Sequence, residues 1–135
     1  MPSKPYIAIA DADRVASAAR EAAQAAGVAV TICVVDDAGH LLRLERLDGA
    51  PLVSLRVAEG KARTAVEMKM PTSLAEQAAT GMPSIVAIAD IYPFRGGIPL
   101  FEGDFCVGAV GISGGSPDQD EAIAVASACV WTPAG

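Results

Sequence analysis

The chain has 135 residues, 52% of them apolar but only 4% aromatic, and a formal charge of −6. That length builds one core without disulfides or metal. The ten scattered basic residues form no stripe of the kind that nucleic acid or an anionic membrane surface requires, which excludes both as partners.

Cys33, Cys106 and Cys129 lie far apart, with no CxxC and a single histidine, so no zinc site is encoded locally. An odd count of unpaired thiols fits a reducing compartment. Met-Pro-Ser-Lys-Pro at the start lacks the basic-then-apolar order of a signal peptide, and no apolar run approaches the length of a membrane span. The expectation is a single cytoplasmic domain over 1–135. Its core must come from Ala, Val, Ile and Leu, and alanine-rich helices present little area each, so further burial by homo-oligomerisation is expected.

In chain order, Asp11 to Ala26 reads as a helix, capped by Asp11 or Asp13 and stopped by Gly27. Ala29 to Val35 is a short apolar run, as in a strand covered on both faces. Asp36-Asp37-Ala38-Gly39 has turn chemistry. His40 to Leu47 alternates, with Leu42 and Leu44 expected on one face and Arg43 and Glu45 on the other, closing a hairpin. Ser54 is the expected cap of a helix that Pro71 ends near Met70. A short helix over about Ser73 to Thr80, a strand over Ile85 to Ala89 and an irregular loop from Tyr92 to Pro99 come next. Leu100-Phe101 and Phe105 to Ile112 flank Glu102-Gly103-Asp104, a hairpin turn. Gly108-Ala-Val-Gly-Ile-Ser-Gly-Gly115 then runs into a helix from about Pro117 to Val130. Pro117 suits its first turn, and Asp118, Asp120 and Glu121 oppose its dipole. Strands arrive in hairpins rather than alternating with helices. That predicts an α+β domain with an antiparallel sheet flanked by helices.

Lys61 is the sharpest local oddity. Arg56, Glu59, Arg63 and Glu67 share one arc of the middle helix, while Lys61 falls on the opposite side with Val57, Thr64, Ala65 and Met68. A lysine there must snorkel, pair with a carboxylate or line a cavity. If desolvated, its amine becomes a base or nucleophile. The loop Arg95-Gly96-Gly97-Ile98-Pro99 is the second candidate, since glycines let a ligand approach the backbone and arginine can clasp a carboxylate. Gly114-Gly115 before a helix has the form of an anion nest, but the three acids after it would repel an anion. Glu45, Asp48, Glu102 and Asp104 are open as partners of Lys61 or as acid–base groups. His40, next to a turn glycine, assembles no triad.

Lys61-Ala-Arg-Thr-Ala65, Arg46-Leu-Asp-Gly-Ala50, Gly96-Gly-Ile-Pro99 and Gly108 to Gly115 with Asp118-Gln-Asp-Glu121 together resemble the GlcG/HbpS-like family, also called the haem-degrading-domain family. The resemblance covers almost the whole chain. It implies a profilin-like fold with a five-stranded antiparallel sheet, and dimers building to octamers. Some members bind haem or iron, and others accompany small-acid catabolism. A first-helix histidine is the haem ligand in the corrinoid-enzyme relative. Here that helix holds no His, Cys, Met or Tyr, the residues an axial position needs, although Thr64 or a methionine could face a porphyrin. The expected function is therefore an oligomeric protein that binds haem or a small organic acid through Lys61, Thr64, Arg95, Gly96 and Gly97, within a catabolic pathway. The alternative is a cofactor-independent isomerase, hydrolase or lyase acting on a small carboxylate or carbonyl compound. Lys61 would then be the base, and Asp104 or Glu45 would shuttle protons. A third is an assembly subunit without chemistry of its own.

Overall fold

A computed structural model describes residues 1–131; the last four residues of the expected 1–135 domain, 132–135, lie outside the described part. The elements are α1 (Ile9–Ala26), β1 (Thr31–Asp36), β2 (Leu41–Arg46), α2 (Val53–Met68), α3 (Thr72–Gly81), a 3-10 turn (Pro83–Ala87), β3 (Gly97–Glu102), β4 (Phe105–Ser113) and α4 (Pro117–Ala128). The four strands form one antiparallel sheet in the order β2-β1-β4-β3.

The expected α+β architecture is present, with four strands where five were expected. The segment Ile85 to Ala89 is the difference. Pro83 starts a 3-10 turn there, and Val86 and Ile88 stand 48% and 58% exposed. An apolar β-branched run makes a strand only where a neighbouring edge accepts its hydrogen bonds, and period cannot reveal that.

Pleat alternation divides the core in two. Ile32 and Val34 of β1 and Val110 and Ile112 of β4 meet α1 and α4 through Ala12, Val15, Ala16, Ala19, Ile123 and Ala124. Cys33, Val35 and Ala109 point the other way, onto Ala58, Ala62, Ala65 and Val66 of α2. β1 is thus covered on both faces, as its unbroken apolar run implies. A register shift between Val34 and Val35 breaks the expected β2 alternation. Arg43 and Glu45 share a face, but Leu42 packs into the α1-side core while Leu44, opposite Cys33, lies on the α2 side. The bulge adds one residue, and one residue inverts the facing of the strand beyond it.

Helix ends obey local chemistry only in part: neither Asp11 nor Asp13 is the cap of α1, which starts at Ile9 with Ala8 as its N-cap. Gly27 ends α1 in the left-handed region at φ 67°, and Asp11 reaches back to accept the Ala8 N–H. Ser116 caps α4, with Pro117 in its first turn and Gln119 reciprocating from the third position. Ser54 is not the cap of α2. It sits inside the first turn, 1% exposed, bonded to Thr31 Oγ1 at 2.7 Å. A buried polar partner on β1 outcompetes the capping role.

Close contact between α2 and the sheet sets the depth of Lys61. Gly97 and Gly111 are cross-strand partners. A Cβ on Gly111 would lie 2.1 Å from Ala58 O, and one on Gly97 would lie 2.5 Å from Lys61 O. The two glycines make a floor without side chains, so the α2 backbone lies almost on the sheet.

Candidate functional site

Lying this close to the sheet, α2 buries Lys61, which is only 3% exposed. Its ammonium group donates to Ile112 O at the end of β4 (2.8 Å) and to Asp120 Oδ2 in the first turns of α4 (3.0 Å). The other Asp120 oxygen accepts the Gly115 N–H at 2.9 Å. Both side chains of the pair are about 95% buried, at 4% and 5% residual exposure. Burial pulls the Lys61 pKa down, while Asp120 and then Glu76 oppose that shift.

The amine is buried but opens onto a hollow of about 270 Å³ lined by Val57, Lys61, Glu76, Phe94, Arg95, Gly115, Pro117 and Asp120. Helices α2, α3 and α4, the turn before α4 and the loop before β3 converge there. Arg95 stands at its side, its Nε 2.8 Å from Glu76 Oε2 and its Nη1 on Asp118. The Glu76 contact is an ion pair without hydrogen-bond alignment, so the buried Nε–H has no acceptor in line. Gly96, at φ 124°, packs its backbone close to the amine: a Cβ there would lie 2.9 Å from Lys61 Nζ and 2.6 Å from Ile112 O.

The fold brings together Lys61, Arg95 and Gly96 among the residues singled out in the sequence. Gly97 sits beneath α2 with its N–H given to Thr72 Oγ1 at 2.8 Å. Thr64, 1% exposed, accepts the Tyr92 N–H at 2.9 Å and so ties the loop carrying Phe94 and Arg95 to α2. Asp104 is exposed in the β3–β4 turn and does not line the Lys61 hollow. It borders a shallower depression of about 570 Å³ with Ser3, Lys4, Pro5, Glu102, Gly103 and Phe105. That larger trough has no buried polar group, so its size is not a sign of chemistry. Glu45 pairs with Arg20 and Arg43 on the α1 side of the sheet. The carboxylate facing Lys61 is therefore Asp120, which the sequence marks only as a dipole-favourable acid. The Gly114–Gly115 turn has its donors occupied, Gly115 N–H by Asp120 and Ser116 N–H by Gln119.

These features define a class: an α+β domain with a small pocket at the strand-to-helix junction, holding a buried lysine–aspartate pair. Residues 7–128 match the family described as haem degrading protein HbpS-like, and the chain belongs to that family. Protein GlcG of Escherichia coli K12 is 33% identical over 103 residues, covering 76% of this chain and 77% of GlcG. An HbpS double mutant of Streptomyces reticuli superposes with a TM-score of 0.92 at 32% identity, over 98% of this chain and 91% of the other. A PduOC–haem complex superposes with a TM-score of 0.88 at 30% identity, over 96% and 98%. No helix among the described residues is long and apolar enough to cross a membrane.

Proposed function

We propose that the chain is a small-ligand-binding protein whose site is the Lys61–Asp120 hollow, and that its ligand is a small organic acid or carbonyl compound. The observation that carries this reading is a buried amine, paired once and bordering an open cavity. A lysine kept only for stability is more simply replaced by an apolar side chain. At about 270 Å³ the hollow lies just below the roughly 300–1,000 Å³ of clefts that enclose drug-sized ligands, which favours a compact molecule. Val57, Phe94 and Pro117 supply apolar wall, and Arg95, held by Glu76 and Asp118, borders it.

Haem is the rival, because a relative is named as a haem complex. The hollow does not fit it. None of its lining residues is a His, Cys, Met or Tyr, so iron would have no customary axial ligand there, and a porphyrin exceeds the space. The chain's one histidine, His40, is in the β1–β2 turn with its side chain 80% exposed. Hemin titration read at the Soret band separates the two ligands. No saturable shift at micromolar hemin is expected, while small carboxylates and keto acids move the amide resonances of Gly96 and Gly115. A saturable Soret shift without such amide movement overturns the choice.

The protein is further proposed to act as a homo-oligomer in catabolism of such compounds. Leu74, Met82, Val86, Ile88 and Phe94 succeed one another along residues 72–94 at 46–58% exposure, an apolar load that a second copy would cover. Light-scattering mass is the check; a monomer refutes it.

A further inference from the structure

We propose that Lys61 is a nucleophile that forms a reversible imine with the carbonyl carbon of a small aldehyde or keto acid, with Asp120 moving the protons. The inference rests on the hollow being the ligand site.

Three features of the site support it. Lys61 Nζ has two acceptors, Ile112 O and Asp120 Oδ2. An ammonium has three N–H donors, so these two bonds leave one N–H for a ligand, and passing a proton to Asp120 frees the lone pair. Second, Lys61 and Asp120 both line the hollow, so a small carbonyl compound held there lies beside the pair. Third, the chain has only three lysines, and the other two differ in kind. Lys4 is exposed and its pKa is raised by the hydrogen bond to Asp37, and Lys69 is exposed at the end of α2. Burial pulls the Lys61 amine toward the neutral form that attacks a carbonyl.

The step balances without an oxidant or a metal. Asp120 takes one proton from the Lys61 ammonium. The free amine adds to the carbonyl carbon, forming the C–N bond, and an N–H proton passes to the carbonyl oxygen. Asp120 returns its proton to that hydroxyl, the C–O bond breaks, water leaves and a protonated C=N bond remains. One carbonyl and one ammonium become one iminium and one water. The apolar wall of Val57, Phe94 and Pro117 suits the alkyl part of the carbonyl compound.

The experiment treats the intact chain with pyruvate or butanal plus borohydride, with lactate as the carbonyl-free control. Expected is one reduced carbonyl equivalent by intact mass, mapped to the Lys61 peptide ahead of Lys4, Lys69 and the amino terminus. Asp120→Asn should slow trapping at Lys61 by about 10²-fold while labelling at Lys4 is unchanged, with circular dichroism confirming the fold. Adducts confined to Lys4, Lys69 and the amino terminus overturn the imine. If pyruvate moves the Gly96 and Gly115 resonances yet nothing is trapped at Lys61, the ligand site stands and the imine falls. If neither pyruvate nor butanal is trapped or moves a resonance, both fall.

Discussion

Removing the Lys61 ammonium should destabilise the fold far more than removing an exposed ion pair. In Lys61→Met the aspartate at 120 keeps 5% side-chain exposure but loses its cation. The fold then tolerates either a buried unpaired carboxylate or a carboxylic acid held neutral. Breaking a buried pair typically costs ~3–5 kcal/mol, and a loss of that size is expected here. Asp120→Asn keeps an oxygen for the Gly115 N–H but turns the other position into a donor facing the amine. The single variants should therefore sum to at least ~2 kcal/mol more than the double variant, since each alone strands a buried partner. Urea unfolding monitored by circular dichroism at pH 7 measures all four proteins. Additivity within ~0.5 kcal/mol, or a loss below ~1 kcal/mol in Lys61→Met, refutes the claim that the pair is buried and coupled.

Gly96→Ala should lose roughly 2–3 kcal/mol, combining left-handed backbone strain with a methyl forced against Lys61 Nζ and Ile112 O. It should also abolish ligand-induced shifts at Gly115; wild-type stability together with retained shifts contradicts the placement of that loop. Cys33 is fully buried against α2, and burial pushes its thiol up to about 12 from an ordinary 9.0. The unfolded chain releases this proton first, so the contribution is intact below pH 9.0 and is lost on the way to 12, at about 1.4 kcal/mol per unit. The stability difference between wild type and Cys33→Ala should move by about 2 kcal/mol from pH 8 to 10.5 against the wild type, and an unchanged difference refutes the assignment.

Local chemistry was legible wherever neighbours in the chain decide the outcome. The Gly27 stop, the Pro117 helix start and the β1–β2 and β3–β4 hairpins depend on residues a few positions apart. So does the apolar side of α2, which marked Lys61 as anomalous before any partner was visible. The one-residue bulge opposite Val34 and Val35 left no such trace, because either facing of Leu42 satisfies an alternating pattern. Ile85 to Ala89 likewise has strand composition but pairs with neither edge of the sheet.

Site assembly belongs to the tertiary structure. Lys61 and Asp120 are 59 positions apart, and Asp118, Asp120 and Glu121 are equivalent in sequence as acids near a helix start. Only the crossing of α2 over the Gly97–Gly111 floor, next to the first turn of α4, chooses Asp120 for the amine and leaves Asp118 for Arg95. Periodicity reports which side of a helix avoids water, because that depends on 100° steps along one element. Which charge meets which is a matter of distances between elements, and those are set by packing.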